Sequence, residues 1–168
     1  TYLNPVYAYG YESYHRDAAE AGAGGILLLD LPPDEAARNC EMSGHAGLCR
    51  IRLIAPTTPP ERIKLLASNA EGFIYALSRT GVTGSHGGPS AQIGDHVAAI
   101  KQHTDVPVCV GFGISTPDQA SLVASVSDGI VVGSAIVKQV ELNAGAPDVA
   151  DKVGAFTRPL IEAAKAHA

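Results

Sequence analysis

Apolar residues along this chain come in short runs, separated by longer stretches in which they recur at helical spacing. Gly25-Ile26-Leu27-Leu28-Leu29, Ile51-Arg52-Leu53-Ile54-Ala55, Phe73-Ile74-Tyr75-Ala76-Leu77, Val106-Pro107-Val108-Cys109-Val110 and Asp128-Gly129-Ile130-Val131-Val132 each read as a buried strand. Thr1-Tyr2-Leu3-Asn4-Pro5 reads as the tail of a sixth strand running into a turn. Helices are predicted from about Glu12 to Glu20, Asp34 to Ser43, from a cap at Thr58 to near Asn69, Ser90 to His103, Thr116 onward, Ala135 onward, and Asp148 to Ala168 with a break at Arg158-Pro159. Thr58-Pro59-Pro60-Glu61 and Thr116-Pro117-Asp118-Gln119 both look like capped helix starts, and Ser90 is a third candidate cap. Pro32-Pro33 takes the chain out of the sheet after the run at 25–29.

Strand starts near residues 25, 51, 73, 106 and 128, each followed by a helical segment, predict parallel β-strands with right-handed crossovers in one α/β domain over residues 1–168. A doubly wound sheet and a (β/α)8 barrel both satisfy that alternation. The glycines favour the barrel. Gly111, Gly113 and Gly133 follow strand ends and precede helices in two successive units, with Ser134 beside the last. A barrel's common phosphate site is built from the loops after its last two strands and a helix N-terminus. A barrel takes about 250 residues; here the run of elements amounts to the C-terminal six or so β/α units, and the remaining strands are expected before Thr1.

The loop after Leu77 is long, small and polar: Ser78-Arg79-Thr80-Gly81-Val82-Thr83-Gly84, with Gly87 and Gly88 before Pro89. Arg79, Thr80 and Thr83 suit an anionic ligand under a closing segment; the same composition suits a surface loop without a ligand. Tyr2, Tyr7, Tyr9, Tyr11 and Tyr14 place five of the six tyrosines in the first 14 residues, a composition that fits either a core or a protein interface.

Composition narrows the function classes. Net charge is −5 and the 12 basic residues form no cluster, so a nucleic-acid surface is not expected. Hydrophobic residues make up 46% of the chain, yet no run approaches membrane-spanning length and no signal peptide opens it. Cys40, Cys49 and Cys109 lack metal-type spacing and read as reduced thiols of a cytoplasmic protein, the first two in or beside a helix. The six histidines show no paired spacing and read as surface or capping residues; no metal site is expected. Asp30 could pass for a catalytic acid and reads instead as structural or as part of signalling between subunits.

The string Tyr75-x-Leu77-Ser78-Arg79-x-Gly81-Val82-Thr83-Gly84 resembles the sixth strand and mobile loop of the tryptophan synthase alpha subunit. Tyr2-Leu3-Asn4-Pro5, Leu28-Leu29-Asp30-Leu31-Pro32, Gly111-Phe112-Gly113-Ile114-Ser115 and Gly133-Ser134-Ala135-Ile136-Val137 are similar to further motifs of that family, in the same order. The resemblance implies a carbon–carbon lyase of tryptophan biosynthesis, splitting indole-3-glycerol phosphate into indole and glyceraldehyde 3-phosphate without a cofactor. It also implies a beta-subunit partner holding pyridoxal phosphate in a heterotetramer. By the same resemblance Gly84, Gly111, Phe112, Gly113, Gly133 and Ser134 contact phosphate, and Tyr2 and Tyr75 line the indole side. Thr83 and Arg79 belong to the closing loop, and Asn4, Pro5 and Pro32 border the partner. The family's catalytic Glu and Asp have no counterpart in these residues, so the 168-residue chain alone is expected to be inactive. Another phosphate-binding barrel enzyme and a non-catalytic phosphate-binding fragment are the alternative readings.

Overall fold

The computed structural model describes residues 1–32, 35, 47–78, 89–111 and 113–167. In chain order the elements are α1 (Leu3–Tyr9), α2 (Tyr11–Glu20), β1 (Gly25–Ile26), β2 (Cys49–Arg50), β3 (Arg52–Ile54) and α3 (Pro60–Ala67). There follow β4 (Ile74–Leu77), α4 (Pro89–Lys101), β5 (Val108–Gly111), α5 (Pro117–Ala124), β6 (Gly129–Val131), α6 (Ser134–Leu142) and α7 (Val149–Lys165). The expected helix from Asp34 to Ser43, with Cys40, lies outside the described residues, as do Arg79, Thr80, Thr83, Gly84 and Phe112.

Every strand pair is parallel. β1 pairs with β2, and β3-β4-β5-β6 lie in that order. Only Ile51 separates β2 from β3, so residues 49–54 carry the sheet from β1 on one side to β4 on the other. The sheet also reaches Thr1. Its amino group donates to the Leu27 carbonyl at 2.9 Å, and the Leu29 N–H donates to the Thr1 carbonyl at 3.1 Å, the pattern of a parallel pair. The predicted strand stub is therefore a single paired residue.

Across the register, Ile54, Ala76, Val110 and Ile130 share one face with Ile74 and Val108. This face packs on the helices. Ile54, Ile74, Ala76 and Val108 are wholly buried, in one cluster with Ile63 and Leu66 of α3, Val97 and Ile100 of α4, Ala120 and Val123 of α5, and Leu160 of α7. The opposite, concave face carries Leu53, Tyr75, Leu77, Cys109 and Val131, all half-buried.

Carboxylates hold the N-terminal ends of the strands. Glu71 accepts the Arg50 N–H at 3.0 Å and pairs with its guanidinium, and the Glu71 N–H returns a bond to the Arg50 carbonyl at 3.3 Å. Asp128 accepts the Val108 N–H at 2.8 Å and Lys101 Nζ at 2.5 Å.

The structure corrects several sequence expectations. Residues 3–9 are helical, not a turn. Pro5 sits in the first turn of α1, where an N–H would have no intrahelical partner. Thr58 does not cap α3: Pro59 is the N-cap, and the Thr58 hydroxyl accepts the Ala55 N–H at 3.1 Å, closing the turn after β3. α4 begins at Pro89, which places Ser90 within its first turn. α7 continues through Pro159. A mid-helix proline costs about 3 kcal/mol, and the packing of α7 on α5, with Leu160 only 2% exposed, outweighs it. Cys49 is in a strand, not a helix. His15 is a core residue, 5% exposed, stacked on Tyr11 and donating from Nδ1 to the Tyr11 carbonyl at 2.7 Å.

Candidate functional site

Gly111 ends β5, Gly113 follows it, Gly133 and Ser134 follow β6, and Tyr75 lies on β4 beside them. Tyr75 sits on β4, between Leu53 of β3 and Cys109 of β5, and points to the concave face. Its ring lies directly over Gly111, the last residue of β5. A Cβ at Gly111 would stand 2.6 Å from Tyr75 Cε2, 2.7 Å from its hydroxyl and 2.9 Å from Val131 Cβ. Glycine at 111 is therefore a steric requirement of the tyrosine. Partial burial raises the Tyr75 hydroxyl above its ordinary pKa, so it stays a neutral donor across the physiological range.

The two glycine-bearing loops differ in what they leave available. At α5 the donors are used internally. Gln119 Oε1 accepts the Ser115 N–H at 2.8 Å and the Thr116 N–H at 3.2 Å, while Thr116 Oγ1 accepts the Gln119 N–H at 3.3 Å. This completes the capping box that the sequence predicted. Gly113 adopts φ +78°, the left-handed conformation the turn into that box requires. At α6 no side chain caps the helix. Gly133 is its N-cap, Ser134 begins it, and space is open around the Gly133 Cα. The first N–H groups to bond back, those of Ile136 and Val137, both reach the Gly133 carbonyl. Like α3, whose N-cap Pro59 supplies no side-chain cap, α6 offers an uncapped helix N-terminus beside the sheet's C-terminal edge, and the open space at Gly133 gives it a geometry that suits an anion.

A cleft of about 170 Å3 opens between the segment after β1, β3 and α3, lined by Leu28, Leu29, Leu31 and Leu53 together with Arg52 of β3 and Arg62 and Leu66 of α3. Tyr2 is not inside it: as N-cap of α1 the residue is 59% exposed, although Thr1 beside it is bonded to Leu29. Asn4, Pro5 and Pro32 are all exposed. The tyrosine cluster divides between its two readings. Tyr11 is core, while Tyr2, Tyr7 and Tyr9 are exposed; Tyr9 packs edge-on against Tyr14 at 5.8 Å and donates to Asp17 at 2.8 Å.

Asp30 has a role that local sequence does not announce. Its Oδ1 accepts the Leu3 N–H at 2.6 Å and so caps α1 from 27 residues away. Among the described residues, no group of three His, Cys, Asp or Glu side chains could hold a metal ion, and no helix is long and apolar enough to cross a membrane.

The family model described as "Tryptophan synthase alpha chain" matches residues 1–165. The tryptophan synthase alpha chain of Desulfosudis oleivorans is 44% identical over 165 residues, covering 98% of this chain and 62% of that protein. That of Geobacter sulfurreducens is 48% identical over 162 residues, covering 96% and 61% respectively. Among solved structures, tryptophan synthase subunit alpha from Legionella pneumophila superposes with a TM-score of 0.83 at 32% identity, over 98% of this chain and 61% of that one. This chain thus spans about three fifths of the length of the relatives it matches.

Proposed function

Because the chain belongs to the tryptophan synthase alpha chain family, we propose that it is the binding half of a lyase that cleaves indole-3-glycerol phosphate to indole and glyceraldehyde 3-phosphate. The observation that carries this reading is the family match over residues 1–165. The arrangement at the strand ends supports it. The uncapped N-terminus of α6, at Gly133 and Ser134, is the seat for the phosphate dianion. The concave face, where Tyr75 of β4 lies beside Leu53 of β3, is the seat for indole. Gly113 shapes the second loop; Arg79, Thr83, Gly84 and Phe112 lie outside the described residues, and their part in the site rests on the family resemblance alone.

Retro-aldol cleavage protonates indole C3 and removes a proton from the glycerol hydroxyl, which calls for two carboxylates of separated pKa. Such acid–base chemistry needs no organic cofactor in this subunit. Neither carboxylate has a counterpart in residues 1–168, so these residues bind and orient substrate, and the proton transfers belong to groups outside them.

The partner in this reading is the beta chain, which holds pyridoxal phosphate and consumes indole, in the cytoplasm. The exposed Tyr7 and Tyr9, with Asn4, Pro5 and Pro32, form the surface that meets it, an aromatic composition typical of interfaces. Two measurements test the proposal. In the polypeptide as the cell makes it, indole release from indole-3-glycerol phosphate should be detectable and faster with the beta chain; no release with the partner present overturns the reading. Residues 1–168 alone should bind glycerol phosphate and release no indole.

A further inference from the structure

The loops that follow β5 and β6 open side by side. Gly111 and Val131 are the last register pair of those parallel strands, and Gly113 and Gly133 each stand two residues beyond it. Before Gly113 the chain is held at Gly111, whose carbonyl accepts the Ser78 N–H at 3.0 Å. After Gly113 it is held twice. Ile114, 3% exposed, is seated in the core cluster with Ala120 and Val123 of α5. Gln119 Oε1 then accepts the Ser115 N–H at 2.8 Å, the Ser115 hydroxyl at 3.2 Å and the Thr116 N–H at 3.2 Å. A capping box needs only the last of these, the bond from the N-cap residue Thr116. The two Ser115 bonds lie outside the box and fasten the turn itself.

We propose that Gln119 is a positioning residue for the anion seat at α6: its side-chain oxygen holds the turn at residues 113–115 as the wall beside Gly133 and Ser134. Gly113 is exposed and takes φ +78°, so no packing of its own keeps it in that conformation. Its shape is set by what brackets it. The bracket at Gly111 is backbone and that at Ile114 is core, whereas the bracket at Ser115 is one amide side chain reaching back from the first turn of α5. Without that side chain the Ser115 N–H loses its partner and the turn is anchored only at Gly111 and Ile114. The importance of the turn for a phosphate rests on the lyase reading above; its hold by Gln119 does not.

The test uses the polypeptide as the cell makes it, labelled at its backbone amides, in the wild type and in Q119A, Q119E and T116A, with glycerol phosphate as the probe. In Q119A the Gly113 and Ser115 amide resonances should move. Glutamate keeps an oxygen acceptor at the same reach, so Q119E should hold both resonances near wild type. Q119A should bind glycerol phosphate at least about threefold more weakly, as the loss of a positioning hydrogen bond predicts, with T116A within about twofold of wild type. T116A is the control for stability: it removes the other half of the box and leaves the Ser115 bonds in place, so its thermal midpoint should fall without loss of affinity. A Gly113 resonance unmoved in Q119A overturns the proposal, and so does an affinity that is unchanged or raised. Equal weakening in T116A assigns the effect to the helix cap in general and also overturns it. Failure of glycerol phosphate to bind the wild type counts against the lyase reading, and the Gly113 resonance still decides whether Gln119 holds the turn.

Discussion

On the helix-covered face of the sheet, Ile54, Ile74, Ala76 and Val108 are wholly buried, whereas Leu53, Tyr75, Leu77 and Val131 on the concave face keep part of their surface accessible. Both faces are apolar, as strands of a parallel sheet usually are. They differ in what a side chain is for. The covered face is an interlocked cluster in which each residue fills a space fixed by α3, α4, α5 or α7. The concave face has room, and it holds the close fit of Tyr75 over Gly111. The packed core and the face proposed to meet ligand are thus opposite surfaces of the same few strands.

Truncation should separate the faces most sharply. Ile74→Ala leaves a cavity in the covered cluster and should destabilise by about 2–5 kcal/mol, whereas Leu53→Ala, one strand over on the open face, should cost less than about 2 kcal/mol. Equilibrium denaturation of both variants checks this, and equal losses would mean the faces do not differ. Next comes Gly111→Ala, which adds one methyl where 2.6 Å is available and should cost about 1–3 kcal/mol by overpacking. Its signature is a displaced Tyr75 ring, visible by NMR, and glycerol phosphate binding should weaken less than indole binding if α6 rather than β5 seats the anion. Thr116→Ala removes the cap of α5, a helix of the covered side, and should cost about 1 kcal/mol without changing ligand binding.

The smallest effect is expected from acid. At Asp128 partial burial raises the carboxyl pKa, but the bonds from Lys101 and the Val108 N–H outweigh it and leave the group below its ordinary value. At Glu71 the Arg50 guanidinium bond is the leading cause of the same downward direction. Both groups therefore contribute stability that is fully present above the ordinary carboxylate range, about pH 4, and is lost as pH falls through their folded values. Denaturation between pH 6 and 3 should show that loss, reduced in D128N and E71Q.

The order of strands and helices was legible because each apolar run was followed by a helical one, and the start of α5 because Thr116 and Gln119 sit at capping-box spacing. Other features depend on partners far along the chain. α1 takes its cap from Asp30, so Leu3-Asn4-Pro5 reads locally as a turn. Thr58 carries the same pattern as Thr116, but its hydroxyl is spent on Ala55. His15 and the continuity of α7 through Pro159 are decided by packing that no local pattern contains. At the site, the tyrosine and the glycines were readable as residues at strand ends. That Gly111 serves Tyr75, and that the α5 loop has already used its donors on Gln119, are facts of three-dimensional neighbourhood.

Glu71 and Asp128 have a further consequence. Each carboxylate takes an N–H near the beginning of a neighbouring strand, Arg50 in one case and Val108 in the other. A strand displaced by one position would turn its side chains to the opposite face and bring a different backbone group against the carboxylate. In strands of two to four residues, where few ladder bonds enforce alignment, only the aligned register gives both carboxylates these backbone N–H partners.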